Sequence, residues 1–166
     1  LDGLFDLSTL SNGITQLLST YVPGLVEPSQ ATDSLNNFNF TITADYPHPL
    51  TELFFPGFRI SPGTTISGKY DSKRQFLNVN LTSDRVQYEK NQINDLNIKA
   101  FNRNNLLYLN LSSKDLRFTG LTSFKNFKIS SKIHADTIDI NLNWNNWLDK
   151  NYSGNINSSL TLLPKT

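Results

Sequence analysis

The sequence predicts a mainly β fold, a curved antiparallel meander sheet preceded by one amphipathic helix. From Asn36 onward, apolar and polar residues alternate with a period of two, which is typical of half-buried strands. The connections between these runs are short and rich in Asn, Asp and Ser, as in turns. No helical stretch separates the later strands, and parallel strands need crossovers of about a dozen residues. We therefore expect antiparallel neighbours.

The N-terminal segment is the predicted helix. Its apolar stripe, spaced at three and four residues, consists of Leu7, Leu10, Ile14, Leu17, Leu18 and Tyr21. Asp6 or Ser8 is placed to cap its start, and Pro23-Gly24 ends it. Its polar side lacks Lys and Arg, so we expect it to pack on its own sheet rather than on anionic lipid. The chain is thus divided into residues 1–35, helix and linker, and 36–166, the β groove.

A weak internal repeat runs through the predicted strands. Ile93-Asn94-Asp95-Leu96-Asn97-Ile98 is similar to Phe124-Lys125-Asn126-Phe127-Lys128-Ile129. A short strand unit used again along an extended sheet gives this pattern. Between the first strand and the repeats, Leu50, Leu53 and Phe54 follow two prolines and predict one or two helical turns.

The apolar face of the strands is the main candidate for function. Its predicted lining residues are Leu77, Val79, Leu81, Val86, Tyr88, Leu96, Ile98, Leu107, Leu109, Leu111, Phe127, Ile129, Ile138, Ile140, Leu142 and Trp144. Two readings stay open. A closed β-sandwich would pair two such faces as a dry core and serve as a surface binding or adhesion module, displaying aromatics such as Trp147. An open trough would leave the face available to acyl chains.

Composition excludes several other functions. Charged residues make up 17% of the chain, the net charge is +1, and Lys and Arg are interspersed with Asp and Glu. Because no basic stripe could neutralise phosphates, nucleic acid is not expected as a partner. The absence of Cys excludes disulfides and thiolate chemistry. Without an initiator Met or a signal-peptide pattern, the chain is expected to be an internal segment of a longer protein.

No catalytic, metal or cofactor site is expected. His48 lies in a Pro-His-Pro loop, and His134 lies at the polar parity of a strand. Neither has a recognisable orienting partner, which catalytic imidazoles need. The carboxylates are scattered, and Asp136 and Asp139 have opposite parity if both lie on a strand. We therefore predict that the protein is not an enzyme.

Six motifs follow one another along the chain: Asp45-Tyr46-Pro47, Leu53-Phe54-Phe55-Pro56, Phe58-Arg59-Ile60-Ser61-Pro62-Gly63-Thr64, Ile66-Ser67-Gly68-Lys69-Tyr70, 136–146 and Tyr152-Ser153-Gly154. Taken in this order, they resemble the TamB family of envelope proteins (translocation and assembly module, AsmA-like) in its Bacteroidetes form. Upstream, Phe5-Asp6-Leu7-Ser8-Thr9-Leu10 and Leu17-Leu18-Ser19-Thr20-Tyr21-Val22-Pro23 are similar to the helical piece that precedes that family's sheet.

The resemblance implies a U-shaped sheet with an apolar interior, called a β-taco. It implies a periplasmic location within a protein anchored in the inner membrane. It also implies phospholipid transport toward the outer membrane, and an Omp85-type barrel as a possible partner in outer-membrane biogenesis. These remain expectations of the resemblance.

Overall fold

A computed structural model describes residues 2–27, 36–120, 123–146 and 152–163. Most of the predicted linker, and Trp147, lie outside these residues. The helices are α1 (Leu7–Tyr21) and α2 (His48–Phe54). The strands are β1 (Asp2–Leu4), β2 (Asn37–Ala44), β3 (Phe58–Ile60), β4 (Thr64–Asp71), β5 (Phe76–Tyr88), β6 (Asn91–Arg103), β7 (Leu106–Arg117), β8 (Phe124–His134), β9 (Thr137–Asn146) and β10 (Tyr152–Thr161).

All ten strands belong to one open antiparallel sheet. Its order is β1-β2-β4-β5-β6-β7-β8-β9-β10, and β3 pairs with the far end of β5. From β4 to β10 each strand lies beside its predecessor, so the predicted mainly β meander is confirmed. Among the described residues, extensive strand contacts join only neighbours in the sheet. The closed sandwich is therefore wrong, because a sandwich needs a second sheet.

The predicted helix α1 forms and packs on the sheet. Its cap is Asp6, whose Oδ1 accepts hydrogen bonds from the backbone N–H of Ser8 at 2.9 Å and from the Ser8 hydroxyl at 2.7 Å. These bonds, with the side-chain bond first, lower the pKa of Asp6. The helix ends where Val22 N–H donates to Leu18 O. Leu17 and Tyr21 are buried against the sheet, as the stripe predicts.

The core is small and lies under this helix. It joins Leu17 and Tyr21 to Phe38, Tyr70 and Leu107, one residue from each of three strands. The Tyr21 hydroxyl accepts a hydrogen bond from the Asn102 side chain, and Tyr21 O accepts one from Asp136 N–H. The helix is thus fixed to β6 and to the turn between β8 and β9.

Two features differ from the sequence predictions. The three-residue strand β1 was not expected, because so short a run shows no periodicity. Asp136 lies in the turn before β9, with φ of 62°, rather than on the strand with Asp139. Its Oδ1 accepts a hydrogen bond from Gly24 N–H at 2.7 Å, which makes Asp136 a structural anchor for the end of α1.

Helix α2 and strand β3 form an insertion between β2 and β4. The predicted helical turns after the prolines are confirmed as α2. Its last residues, Leu53 and Phe54, and the following Phe55 are exposed. The described helices include none long and apolar enough to cross a membrane.

Candidate functional site

One row of aliphatic side chains crosses eight strands. Each member lies directly opposite the next in the pairing register, so all point to the same face of the sheet. This aliphatic ladder consists of Ile42, Ile66, Leu81, Ile98, Leu111, Ile129, Leu142 and Ile156. The six central members are half-buried, whereas the end members Ile42 and Ile156 are exposed.

The two rows that follow the ladder on one side differ in how far α1 covers them. One row contains Val79, Ala100, Leu109, Ser131 and Ile140. In this row Leu109 is 41% exposed although it lies on a central strand. The next row includes Tyr70, Leu77, Leu107 and Ile133, and α1 packs on it. We call the aliphatic ladder together with Val79, Leu109 and Ile140 the open apolar face.

On the other side of the ladder, the alternation of apolar and polar residues is interrupted on the strands from β5 to β8. We call this interruption the break. Asp95 and Asn126 adopt positive φ values of 50°, at equivalent places in the internal repeat. Beyond Asn126, the even-numbered Phe124 contacts the odd-numbered Phe127 at 6.4 Å and Trp144 at 5.5 Å between ring centroids. In β8 the residues on the apolar face are therefore even-numbered before the break and odd-numbered after it. We call this change the parity shift, and the apolar face continues through it.

Two serine hydroxyls satisfy backbone groups at this break. Ser83 Oγ donates to Arg85 O at 3.0 Å, and Ser113 Oγ donates to Asn94 O at 2.8 Å. Both serines are buried. Because buried carbonyls without partners are costly, these small polar residues are suited to an otherwise apolar row.

All the predicted lining residues lie on the apolar face, but in different surroundings. The ladder contains Leu81, Ile98, Leu111, Ile129 and Leu142, and the adjacent row contains Val79, Leu109 and Ile140. The row that α1 borders contains Leu77, Leu107 and Ile138. The break contains Leu96, Phe127 and Trp144, and Val86 and Tyr88 lie beyond it.

Two of these residues are not available to a ligand, and several others were missed. Leu107 is buried beneath α1, and Leu96 is buried at the break. The missed members of the face include Ile42, Ile66, Ile93, Leu116, Phe124 and Ile156. The alternation of apolar and polar residues in β2, β4 and β10 could have placed Ile42, Ile66 and Ile156 on this face. The assignment of Ile93, Leu116 and Phe124 to this face requires the parity shift, which only the structure reveals.

The opposite face is dominated by amides in place of ion pairs. Asn97 donates to Asn80, and Asn141 donates to both Asn155 and Asn157. Asn143 donates to Asn141 at 3.0 Å. This network places neutral hydrogen-bonding groups on one side of a single-layer sheet whose other side is apolar.

Two of the carboxylates are paired with neighbouring polar side chains. Asp139 accepts a hydrogen bond from Ser159, and Asp115 pairs with Arg117. No group of three acidic or His side chains within the described ranges is placed to hold a metal ion. The chemistry that the arrangement supports is apolar contact, because the ladder presents hydrocarbon and no reactive atoms.

Comparison with protein-family models, curated proteins and solved structures finds no match to this chain.

Proposed function

We propose that the open apolar face binds the acyl chains of phospholipids. In this proposal the chain is a segment of a TamB-like, inner-membrane-anchored protein that conducts phospholipid through the periplasm toward the outer membrane. The observation that carries the proposal is the aliphatic ladder, which continues across eight strands of a sheet that no second sheet covers within the described residues. The periplasmic location in this proposal comes from the sequence resemblance. The same resemblance makes an Omp85-type barrel a candidate partner.

The size of the ladder suits an acyl chain. Neighbouring strands lie about 4.8 Å apart, so seven strand spacings extend over roughly 33 Å. The hydrocarbon of one bilayer leaflet is about 15 Å thick, half of the ~30 Å core. An acyl chain lying across the strands would therefore contact aliphatic side chains along its whole length. Each methylene removed from water contributes about 0.8 kcal/mol.

The environment of the ladder favours passive, non-catalytic transport. A chain bound only by aliphatic contacts meets no charge or directional hydrogen bond that would fix it at one point. Helix α1 borders the face on one side by covering the row of Tyr70, Leu77 and Leu107. The lipid headgroup would remain at the uncovered margin, because burying a charge without a partner is costly.

Leu109→Asp tests this function because it places a charge on the open apolar face. We expect the variant to lose most of the phospholipid that copurifies with the wild-type chain, as measured by mass spectrometry of extracted lipids. Leu109 is 41% exposed, so the charge costs little folding stability. Val79→Asp, in the same row, is expected to act in the same way.

Asn110→Asp is the matched control. It adds the same charge at the next residue of β7, which points to the amide-rich face. This variant should keep its lipid, and both variants should give the wild-type circular dichroism spectrum. A wild-type chain without bound lipid, or equal retention by the two folded variants, would contradict the proposal.

A further inference from the structure

A cleft crosses β7 to β10 on the amide-rich face, which is opposite to the aliphatic ladder. Its volume is about 550 Å³, which lies within the roughly 300–1,000 Å³ of ligand pockets. Two rows of facing residues border it, and the rows lie about 7 Å apart along the strands. We call it the polar cleft. One row contributes Tyr108, Lys132 and Asp139, and the other contributes Ser130, Asn141 and Asn157.

An aromatic ring forms one end of the polar cleft. Tyr108 stacks on Phe101, with ring centroids 4.9 Å apart and an interplanar angle of 14°. Phe101 lies on β6 and covers one face of the Tyr108 ring, so the other face is turned toward β8, where Lys132 faces Tyr108. The face of an aromatic ring carries negative partial charge. It therefore suits the C–H groups of a sugar ring, whose hydrogens are positively polarised because each ring carbon bears an oxygen.

Two amides of the polar cleft are held in position by other amides. Asn141 accepts a hydrogen bond from Asn143 at 3.0 Å and donates one to Asn157 at 2.6 Å. Asn157 in turn donates to Asn155 at 2.9 Å. A carboxamide has two N–H donors and two acceptor lone pairs, so within the described chain Asn157 keeps one donor and one lone pair for a ligand. Because these side chains are already ordered, binding a ligand costs them little entropy.

The two charged groups of the polar cleft have opposite signs. Lys132 and Asp139 face each other on β8 and β9, yet no ion pair joins them in the part of the chain that the structure describes. One Asp139 oxygen accepts a hydrogen bond from the Ser159 hydroxyl at 2.8 Å. A sugar hydroxyl both donates and accepts hydrogen bonds, so neighbouring hydroxyls can accept from Lys132 and donate to Asp139. An anion would be repelled by Asp139 and a cation by Lys132, so the pair favours a neutral ligand.

We propose that the polar cleft binds a neutral polysaccharide chain. One sugar ring stacks on Tyr108, and its hydroxyls form hydrogen bonds with Lys132 and Asp139. The polar cleft extends over three strand spacings, roughly 14 Å, so an adjoining ring of the same chain lies against the amides of Asn141 and Asn157. The site is on the face opposite to the aliphatic ladder and does not depend on what the open apolar face binds.

Isothermal titration calorimetry with defined neutral oligosaccharides tests the site. The probes are cellohexaose, chitohexaose, mannohexaose and maltohexaose, which differ in linkage and in hydroxyl orientation but carry no charge. We expect the wild-type chain to bind at least one of them with a Kd of about 1 mM or tighter. The affinity should be the same at low and high salt, because salt screens only interactions between charges. Binding of none of the probes at this level, or binding that is lost at high salt, would overturn the proposal.

Two substitutions of Tyr108 test the stacking contact. Tyr108→Ala removes the ring and should raise the Kd for the bound oligosaccharide by roughly threefold to tenfold. Tyr108→Phe keeps the ring and should retain most of the affinity. Equal affinities of the alanine variant and the wild type, with wild-type circular dichroism spectra for both, would contradict the stacking on which the proposal depends.

A pair of lysine substitutions tests the hydrogen bonds at the polar cleft. Lys132→Ala removes the donor beside Asp139 and should raise the Kd about tenfold, as expected for a hydrogen bond to a charged group. The matched control is Lys69→Ala, which removes an exposed lysine from the same row of the sheet on β4, outside the polar cleft. This control should bind as tightly as the wild type. Equal losses in the two lysine variants would overturn the proposal, and this comparison decides it even if Tyr108→Ala does not fold.

Discussion

Tyr70 shows how a single residue connects the helix to the sheet. Its side chain is 2% exposed and lies against Phe38 and α1. Gly13 makes room for its hydroxyl, since a Cβ there would lie 2.5 Å from Tyr70 Oη. Within the described chain the buried hydroxyl has no hydrogen-bond partner. The helical stripe predicted the apolar contacts of α1, but it gave no reason for a glycine in the middle of the helix.

The buried hydroxyl predicts a loss of stability in alkali. Burial, and secondarily the charge of Asp71, raise the pKa of Tyr70 above its ordinary value of 10.0. Below that value the phenol is protonated in both states, and its contribution to stability is complete. As the pH rises above it, the unfolded chain ionises first, so the free energy of unfolding falls until the pH passes the folded-state pKa.

Urea unfolding from about pH 8 to about pH 11 checks this prediction, because the range brackets the ordinary tyrosine pKa of ~10. Tyr70→Phe is the control, since it keeps the ring and removes the titrating group. The wild type should lose more stability than the variant across this range. Parallel losses in the two proteins would show that Tyr70 does not contribute.

At the scale of the strand, the break at Asp95 and Asn126 decides which residues share a face. The internal repeat aligned these two residues, and Asn and Asp are the non-glycine residues that best tolerate positive φ. Nevertheless, the repeat alone did not predict the parity shift. Backbone conformation at one residue is set by the pairing of the whole strand, which is a tertiary property.

Asn126→Val is expected to destabilise the sheet by about 1–3 kcal/mol, because a β-branched residue is strained at φ of 50°. Asn126→Gly loses the same side-chain hydrogen bond to Asn145 O but tolerates this conformation. The difference between the two free energies of unfolding isolates the backbone effect. Valine tolerated as well as glycine would argue against a left-handed residue here.

At the scale of the molecule, burial is uneven. The buried cluster lies between α1 and one row of the sheet, whereas the central members of the ladder, two rows away, are half-buried. A single-layer sheet has no opposing layer to complete the burial of its apolar face. The protein thus combines a compact core at one margin with a wide apolar surface beside it.

This distribution predicts unequal costs for removing leucine side chains. Leu17→Ala, at a position with 0% exposure, should lower the free energy of unfolding by about 2–5 kcal/mol. Leu109→Ala, on the open apolar face, should cost less than about 1 kcal/mol. Urea denaturation of the two variants measures the contrast. Similar losses would indicate that the face is closed in solution.

The sequence by itself determined most of the strands, the antiparallel meander, the helix α1 and the face to which most apolar residues belong. These features depend on local periodicity, turn chemistry and capping, which neighbouring residues specify. Only the tertiary structure decided that the sheet stays open, that Leu107 is core while Leu109 is exposed, and that the apolar face continues through the break. Those outcomes depend on the pairing register and on which row α1 covers. The alternation of residues along one strand specifies neither of these.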